Sequence, residues 1–260
     1  DDGTPGMTLR VIKVGGNEID QPDFLAGLCE AVAGMKDPPV LVHGGGKEIA
    51  AALGLHGLSY EFVGGMRATR IEAMAVVEQV LSGAINKRIV ARLNAVGITA
   101  IGLSGVDLGL IETVPLRPDG RDLGRVGQVV RVRAEVLRQL LQPGWVPIVS
   151  PVSVDRDDRM ATNVNADSAA LAVAEALSAG ELVFVSNVPG VLLDGEVVAE
   201  MDRVSVEAAI SSGAISGGMV PKVRAALAAL DAVRAVRITD LAGLDRAGTR
   251  FVAGKDQEHG

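Results

Sequence analysis

The chain has 260 residues, of which 48% are apolar and 2% aromatic, and its formal net charge is −7. That length suits one large α/β domain or two small lobes sharing a sheet, with enough apolar content to bury a sizeable core. Scattered basic residues and scarce aromatics exclude a nucleic-acid surface, and no apolar run is long enough to cross a bilayer.

The single cysteine, Cys29, rules out an internal disulfide and points to a reducing compartment. It lies in an apolar helical stretch and reads as a buried structural thiol. The histidines His43, His56 and His259 show no metal-site spacing. Asp1 to Gly6 read as an appended leader ahead of a natural start at Met7. No secretory signal follows, so a cytoplasmic location is expected.

Short apolar runs alternate with longer helical stretches, which predicts an open αβα sandwich with a mainly parallel central sheet. Leu9 to Val14 reads as the first strand and runs into Gly15-Gly16. A helix is expected from Asp23 to Ala33, then a strand from Pro39 to Val42 leading into His43-Gly44-Gly45-Gly46. Helical periodicity returns from Glu48 to Leu53 and from Ile71 to Ala95, with Gly83 as an interruption. Thr99 to Leu103 is another buried strand.

Between Leu110 and Val132, alternating segments flank the polar turn Arg117 to Arg121, the pattern of an antiparallel hairpin. A helix from Ala134 to Leu141 leads into a strand from Val146 to Val149, and Val152 to Met160 reads as a second polar hairpin. Asn165 opens a helix reaching Leu177, followed by a strand from Leu182 to Val185 and a turn over Asn187 to Gly190. Further helices are expected from Val204 to Ser212 and from Val220 to Ala232, separated by the glycine-rich stretch Gly213 to Gly218. Ala235 to Ile238 and Thr249 to Val252 are the last strands. With no repeat and no linker, the chain reads as two lobes on one sheet.

Two glycine clusters directly follow strands, where ligands bind in open α/β sheets and backbone N–H groups favour anions. They fit anion binding better than two coincidental tight turns. Neither is a common nucleotide signature: Leu41 stands where a phosphate-binding loop before Lys47 needs glycine, and Glu48 replaces its Ser/Thr. Lys13 lies inside the apolar run Val11-Ile12-Lys13-Val14. A buried ammonium needs an anion beside it, either a phosphoryl group or a structural carboxylate, unless it snorkels from the strand end. Asn163 to Asp167 read as ordinary helix caps when taken alone, and Lys222 as a surface residue of a first helical turn. Arg67, in Gly64-Gly65-Met66-Arg67, suits either a carboxylate clamp or a solvated loop.

Taken in order, these segments resemble the amino acid kinase superfamily, most closely its N-acetylglutamate kinase branch, from Met7 to about Val252. The resemblance rests on Lys-Val-Gly-Gly at 13–16, His-Gly-Gly-Gly at 43–46 and Phe-Val-Gly-Gly-Met-Arg-Ala-Thr at 62–69. Asn86-Lys87, Leu103 to Asp107, Leu123 to Gly127, Asn163 to Asp167, Ser186 to Gly190, Gly217 through Lys222 and Gly248-Thr249 complete it.

The resemblance implies ATP-dependent phosphorylation of the γ-carboxylate of N-acetyl-L-glutamate, with Mg²⁺ carried mostly by the nucleotide. It implies Lys13 and Lys222 as lysines neutralising the transferring phosphoryl group and Asp167 as the carboxylate holding them. Gly45, Gly46, Arg67, Asn163 and Asn165 would bind the acceptor. Gly15, Gly16, Asn187, Gly190, Gly217, Gly218 and Met219 would bind the nucleotide. It further implies an acceptor-binding and dimerisation lobe over residues 7–178 and an ATP lobe over 179–254. A homodimer would be built near Glu72 to Ser82, and it is expected to be insensitive to arginine because so little precedes Leu9.

Asn187 departs from the aspartate of many family members. Asparagine there resembles kinases acting on aminoadipate or glutamate tethered to a small acidic carrier protein, which the cluster Arg117, Arg121, Arg125, Arg131 and Arg133 would suit. A catalytically silent amino-acid sensor of the same fold is a third reading. Keeping both lysines and Asp167 speaks against it.

Overall fold

The computed structural model describes residues 9–15 and 19–254. Asp1 to Gly6, Met7 and Gly16 of the first glycine pair lie outside the described residues. Strand β1 (Arg10–Val14) is followed by helix α1 (Pro22–Ala33), where proline at the first position is preset for helical φ. Next come β2 (Val40–His43) and α2 (Gly46–Leu55). A short hairpin, β3 (Phe62–Val63) and β4 (Met66–Arg67), leads into α3 (Ile71–Glu78). A π-helical stretch over Gln79–Ile85 joins α3 to α4 (Asn86–Ala95). The predicted interruption at Gly83 is therefore a widening of the helix rather than a break, with helical backbone at both of its ends.

Strand β5 (Ala100–Ser104) precedes the expected antiparallel pair β6 (Ile111–Pro115) and β7 (Gly127–Val132). Helix α5 (Ala134–Leu141) and β8 (Val146–Ser150) follow, and β9 (Val152–Asp155) with β10 (Ala161–Asn163) forms the second polar hairpin. Then come α6 (Ala166–Leu177), β11 (Glu181–Val185), the small hairpin β12 (Leu192–Leu193) and β13 (Glu196–Val197), and β14 (Glu200–Met201). Helices α7 (Arg203–Ser211) and α8 (Met219–Ala229) and strands β15 (Val236–Thr239) and β16 (Thr249–Phe251) complete the chain. Helix α8 stops short of the predicted Ala232 because the chain turns there to enter β15, with the Val233 amide donating to the Ala229 carbonyl.

Among the described residues the central sheet has eight strands in the order β14-β16-β15-β11-β1-β2-β8-β5. Every neighbouring pair is parallel except β15 with β16. Strand β1 therefore lies in the interior of the sheet, between β2 and β11. Its alternating residues feed opposite cores: Val11 packs with Leu137, Val173 and Leu227, whereas Ile12 packs with Leu28, Leu53 and Val77. Apolar residues on both faces are what a helix-covered parallel sheet requires.

A second sheet of four strands has the order β10-β9-β6-β7. Isolated bridges Thr69 to Gly124 and Val126 to Asn163 tie the chain after β4 to it. Among the described residues no helix is long and apolar enough to cross a membrane.

Candidate active site

Parallel strands β1, β2 and β11 deliver Lys13, His43 and Val185 to the same end of the sheet, where ligands bind in this architecture. A cavity of about 430 Å³ opens there, and Lys13, Gly15, Gly45, Arg67, Asp167 and Lys222 are among its lining residues. Gly46 and Ala166, the first residues of α2 and α6, also face it. Helix starts carry N–H groups without intrahelical acceptors, so both favour an anion in this space.

Lys13 answers the demand made by an ammonium in an apolar strand. Its Nζ lies 2.9 Å from Oδ1 of Asp167, in the first turn of α6. The Asn165 side-chain oxygen accepts from the backbone N–H groups of Asp167 and Ser168 at 2.8 and 3.2 Å, which fixes that turn. Asn165 lines the cavity, but its oxygen is engaged in this cap. Asn163, expected at the helix start, instead ends β10. Its amide donates to Thr69 Oγ1 at 3.0 Å, and the Thr69 hydroxyl donates to the Arg67 carbonyl at 2.9 Å.

Arg67 belongs to the cavity and not to a solvated loop. One terminal nitrogen, Nη2, donates to the Gly46 carbonyl at 2.9 Å. The guanidinium carbon lies 3.8 Å from the centroid of the Tyr60 ring. The glycine loop itself is pressed from behind. A Cβ on Gly45 would crowd side-chain carbons of Ile85 and Leu81, both buried in the π-helical stretch.

Beneath that loop His43 is fully buried. Its Nδ1–H donates to the Gly44 carbonyl at 3.1 Å, and its Nε2 accepts from the Asn86 amide at 3.2 Å. Burial pushes its pKa down to about 4, so the ring is neutral and serves as a brace for the loop.

Lys222 Nζ donates to Ser186 Oγ at 2.7 Å, and both residues line the cavity. Asn187 contacts the site through the Ser186 hydroxyl, which donates to its Oδ1 at 3.3 Å. One helical turn back from Lys222, Met219 lines a smaller cavity of about 150 Å³ together with Gly190, Val188, Val191, Leu192 and Ser216. Gly218 is the residue before α8, and Gly217 adopts φ +56° just ahead of it. Of the expected nucleotide-binding residues that the structure describes, Gly15 lines the larger cavity and Gly190 and Met219 the smaller one, whereas Asn187, Gly217 and Gly218 line neither.

Four residues of this arrangement escape the sequence reading: Tyr60, Thr69 and Ser186 as contacts, and His43 as a brace. Thr69 and Ser186 stand inside or beside recognised motifs, which was the available signal. Tyr60 carries none, because its partner Arg67 is reached only across a hairpin.

Lysines, an arginine and backbone N–H groups converging on one cavity, with Asp167 paired to Lys13 there, can position and neutralise a transferring phosphoryl group. An α/β sandwich carrying that constellation at the carboxyl ends of its strands is a phosphotransferase. The chain belongs to the amino acid kinase family, whose profile, described as "Amino acid kinase family", matches residues 8–240. It is 55% identical to the acetylglutamate kinase of Chloroflexus aurantiacus over 252 residues, covering 96% of this chain and 99% of the relative. It is 48% identical to that of Geobacillus kaustophilus over 239 residues, 90% of each. Among solved structures it resembles smu.665 from Streptococcus mutans, at TM-score 0.78, 29% identity and coverage of 94% of this chain and 98% of the other. Carbamate kinase from Giardia lamblia bound to AMP-PNP shares the fold at TM-score 0.68 and 17% identity, covering 95% of this chain and 99% of that one.

Proposed function

We propose that the chain transfers the γ-phosphoryl group of ATP to the γ-carboxylate of N-acetyl-L-glutamate, giving N-acetyl-L-glutamyl 5-phosphate in arginine biosynthesis. The observation that carries the reading is the convergence of Lys13, Arg67, Asp167 and Lys222 on one cavity, in a chain so similar to acetylglutamate kinases.

The acceptor carboxylate, with an ordinary pKa of about 4.3, is ionised at neutral pH and needs no general base. Lys13 and Lys222 neutralise charge on the moving phosphoryl group, Asp167 holds Lys13, and Arg67 forks onto the acceptor's α-carboxylate. Gly45, Gly46, Asn163 and Asn165 bind the rest of the acceptor. Gly15 and Gly16 serve the phosphates, while Asn187, Gly190, Gly217, Gly218 and Met219 hold the adenosine half. Residues 7–178 form the acceptor lobe and 179–254 the ATP lobe.

Among the described residues no three His, Cys, Asp or Glu side chains converge as a metal cage. Mg²⁺ would travel on the nucleotide phosphates and supply charge neutralisation there. A cytoplasmic homodimer is expected, built on α3 and its neighbours.

A carrier-bound acceptor is less well supported. Arg125 pairs with Asp158, Arg131 with Glu112 and Arg133 with Glu135, so much of the basic cluster is internally neutralised. The test is ATP-dependent acyl-phosphate formation trapped with hydroxylamine, offering N-acetyl-L-glutamate, glutamate, aspartate and aminoadipate. Turnover with N-acetyl-L-glutamate alone is expected. Turnover of none of them, restored by an acidic carrier protein, would overturn the assignment. Lys222→Ala separates kinase from silent sensor, since the kinase loses rate while still binding acceptor.

A further inference from the structure

Arg67 is held by more than hydrogen bonds. Its guanidinium carbon sits 3.8 Å from the Tyr60 ring centroid and 4.8 Å from that of Phe62. The two rings meet edge to face, with centroids 5.7 Å apart and planes at 89°. Phe62 lines the cavity, whereas Tyr60 stands outside its lining. Neither ring is a core residue, with Tyr60 39% and Phe62 58% exposed. The placement is fixed by backbone: the Ala68 N–H donates to the Glu61 carbonyl at 3.0 Å, closing the β3–β4 hairpin next to Tyr60. Meanwhile Nη1 of Arg67 is buried and has no hydrogen-bond partner among the described residues, a donor that an incoming carboxylate would satisfy.

We propose that Tyr60 is a positioning residue for acceptor recognition: its ring face fixes the Arg67 guanidinium so that the fork is already formed when the acceptor's carboxylate arrives. The inference rests on the reading of Arg67 as the acceptor clamp. An arginine has several rotatable bonds, and ordering them during binding weakens affinity. A cation held over an aromatic face has lost that freedom beforehand. Standing outside the cavity lining, Tyr60 acts on acceptor affinity and not on the chemical step.

The test compares the wild type with Tyr60→Leu, which keeps bulk but removes the π face, and with Tyr60→Phe, which keeps the face. Acceptor KM, ATP KM and kcat are measured, together with the calorimetric Kd for N-acetyl-L-glutamate and the thermal midpoint. Tyr60→Leu is expected to weaken acceptor KM and Kd about five-fold, a modest figure because the ring is partly exposed. Its kcat and ATP KM should hold, and Tyr60→Phe should restore acceptor affinity. An unchanged acceptor KM in Tyr60→Leu, equal damage in both variants, or a parallel loss in ATP KM would overturn the proposal. If the wild type phosphorylates a different free acid, the acceptor assignment falls. The same comparison, made with that acid, then judges Tyr60 separately.

Discussion

Nζ of Lys13 lies 2.9 Å from Oδ1 of Asp167, one residue inside a central strand and the other in the first turn of a distant helix. With side chains 17% and 37% exposed, the pair sits at the wall of the cavity, where each charge stays available to a ligand. Asp167→Asn keeps the shape and removes the charge that holds the lysine. We expect kcat to fall about 10²- to 10³-fold, as when one preorganised electrostatic contact is lost. The acceptor KM should change much less. A kcat within a few-fold of wild type in the hydroxylamine assay would remove Asp167 from the mechanism.

Arg67→Lys tests planarity rather than charge. An ammonium cannot present two parallel donors or lie flat against Tyr60. The acceptor KM should rise by about ten-fold or more, corresponding to loss of a charge-assisted contact of about 1.5–3 kcal/mol. The ATP KM should stay put. Steady-state kinetics with each substrate varied in turn separates the two effects.

Gly124 adopts φ +68°, and a Cβ there would collide with the Thr69 carbonyl. Thr69 in turn holds Asn163 and the Arg67 backbone. Gly124→Ala therefore strains a left-handed position and displaces the arginine loop together. We expect about 1–3 kcal/mol of destabilisation, read as a lower denaturant midpoint, with a raised acceptor KM. A variant that lost stability but kept wild-type acceptor affinity would separate the loop from the clamp.

His43 makes stability depend on pH. Its folded pKa of about 4 lies below the ordinary 6.5 because the ring is buried. The unfolded chain therefore binds the extra proton first as pH falls. This contribution is whole above about pH 6.5 and is lost progressively down to about pH 4, amounting to about 3 kcal/mol. The carboxylates of Asp20, Asp158 and Asp202 have lowered pKa values and lose their contributions only at still lower pH. Urea melts between pH 4.5 and 6.5 should show this slope in the wild type and a flatter one in His43→Asn.

Much of the architecture is legible in the sequence because its elements are long enough to show a period. The predicted bounds of α5 coincide with the structure, and the helix expected from Ile71 to Ala95 is one helical run. Strands of two residues carry no period at all, which is why β3, β4, β12, β13 and β14 go unread. In the site, Lys13 announces itself as a charge in an apolar strand. Its partner Asp167 looks like a common cap until tertiary packing brings the two together. Asn163 misleads for the same local reason: Asn and Asp are frequent at helix starts, yet here the helix begins after Asn165. Tyr60 is hidden because a cation over a ring is a contact in space with no counterpart in spacing.

The place of β1 in the middle of the sheet bears on how the chain reaches its native state. Pairing of Arg10 with Glu181 and of Lys13 with Phe184 joins segments far apart in the sequence. Such non-local contacts form late, after a large loop-closure cost, and they slow folding. During synthesis β1 can pair with β2 well before β11 emerges, which leaves its other edge open to association with another chain. That pairing also brings Ser186, just past β11, to the cavity that Lys13 and Lys222 line. Regain of activity on refolding should therefore track the slowest phase, and a chain stopped before β11 should be aggregation-prone and inert.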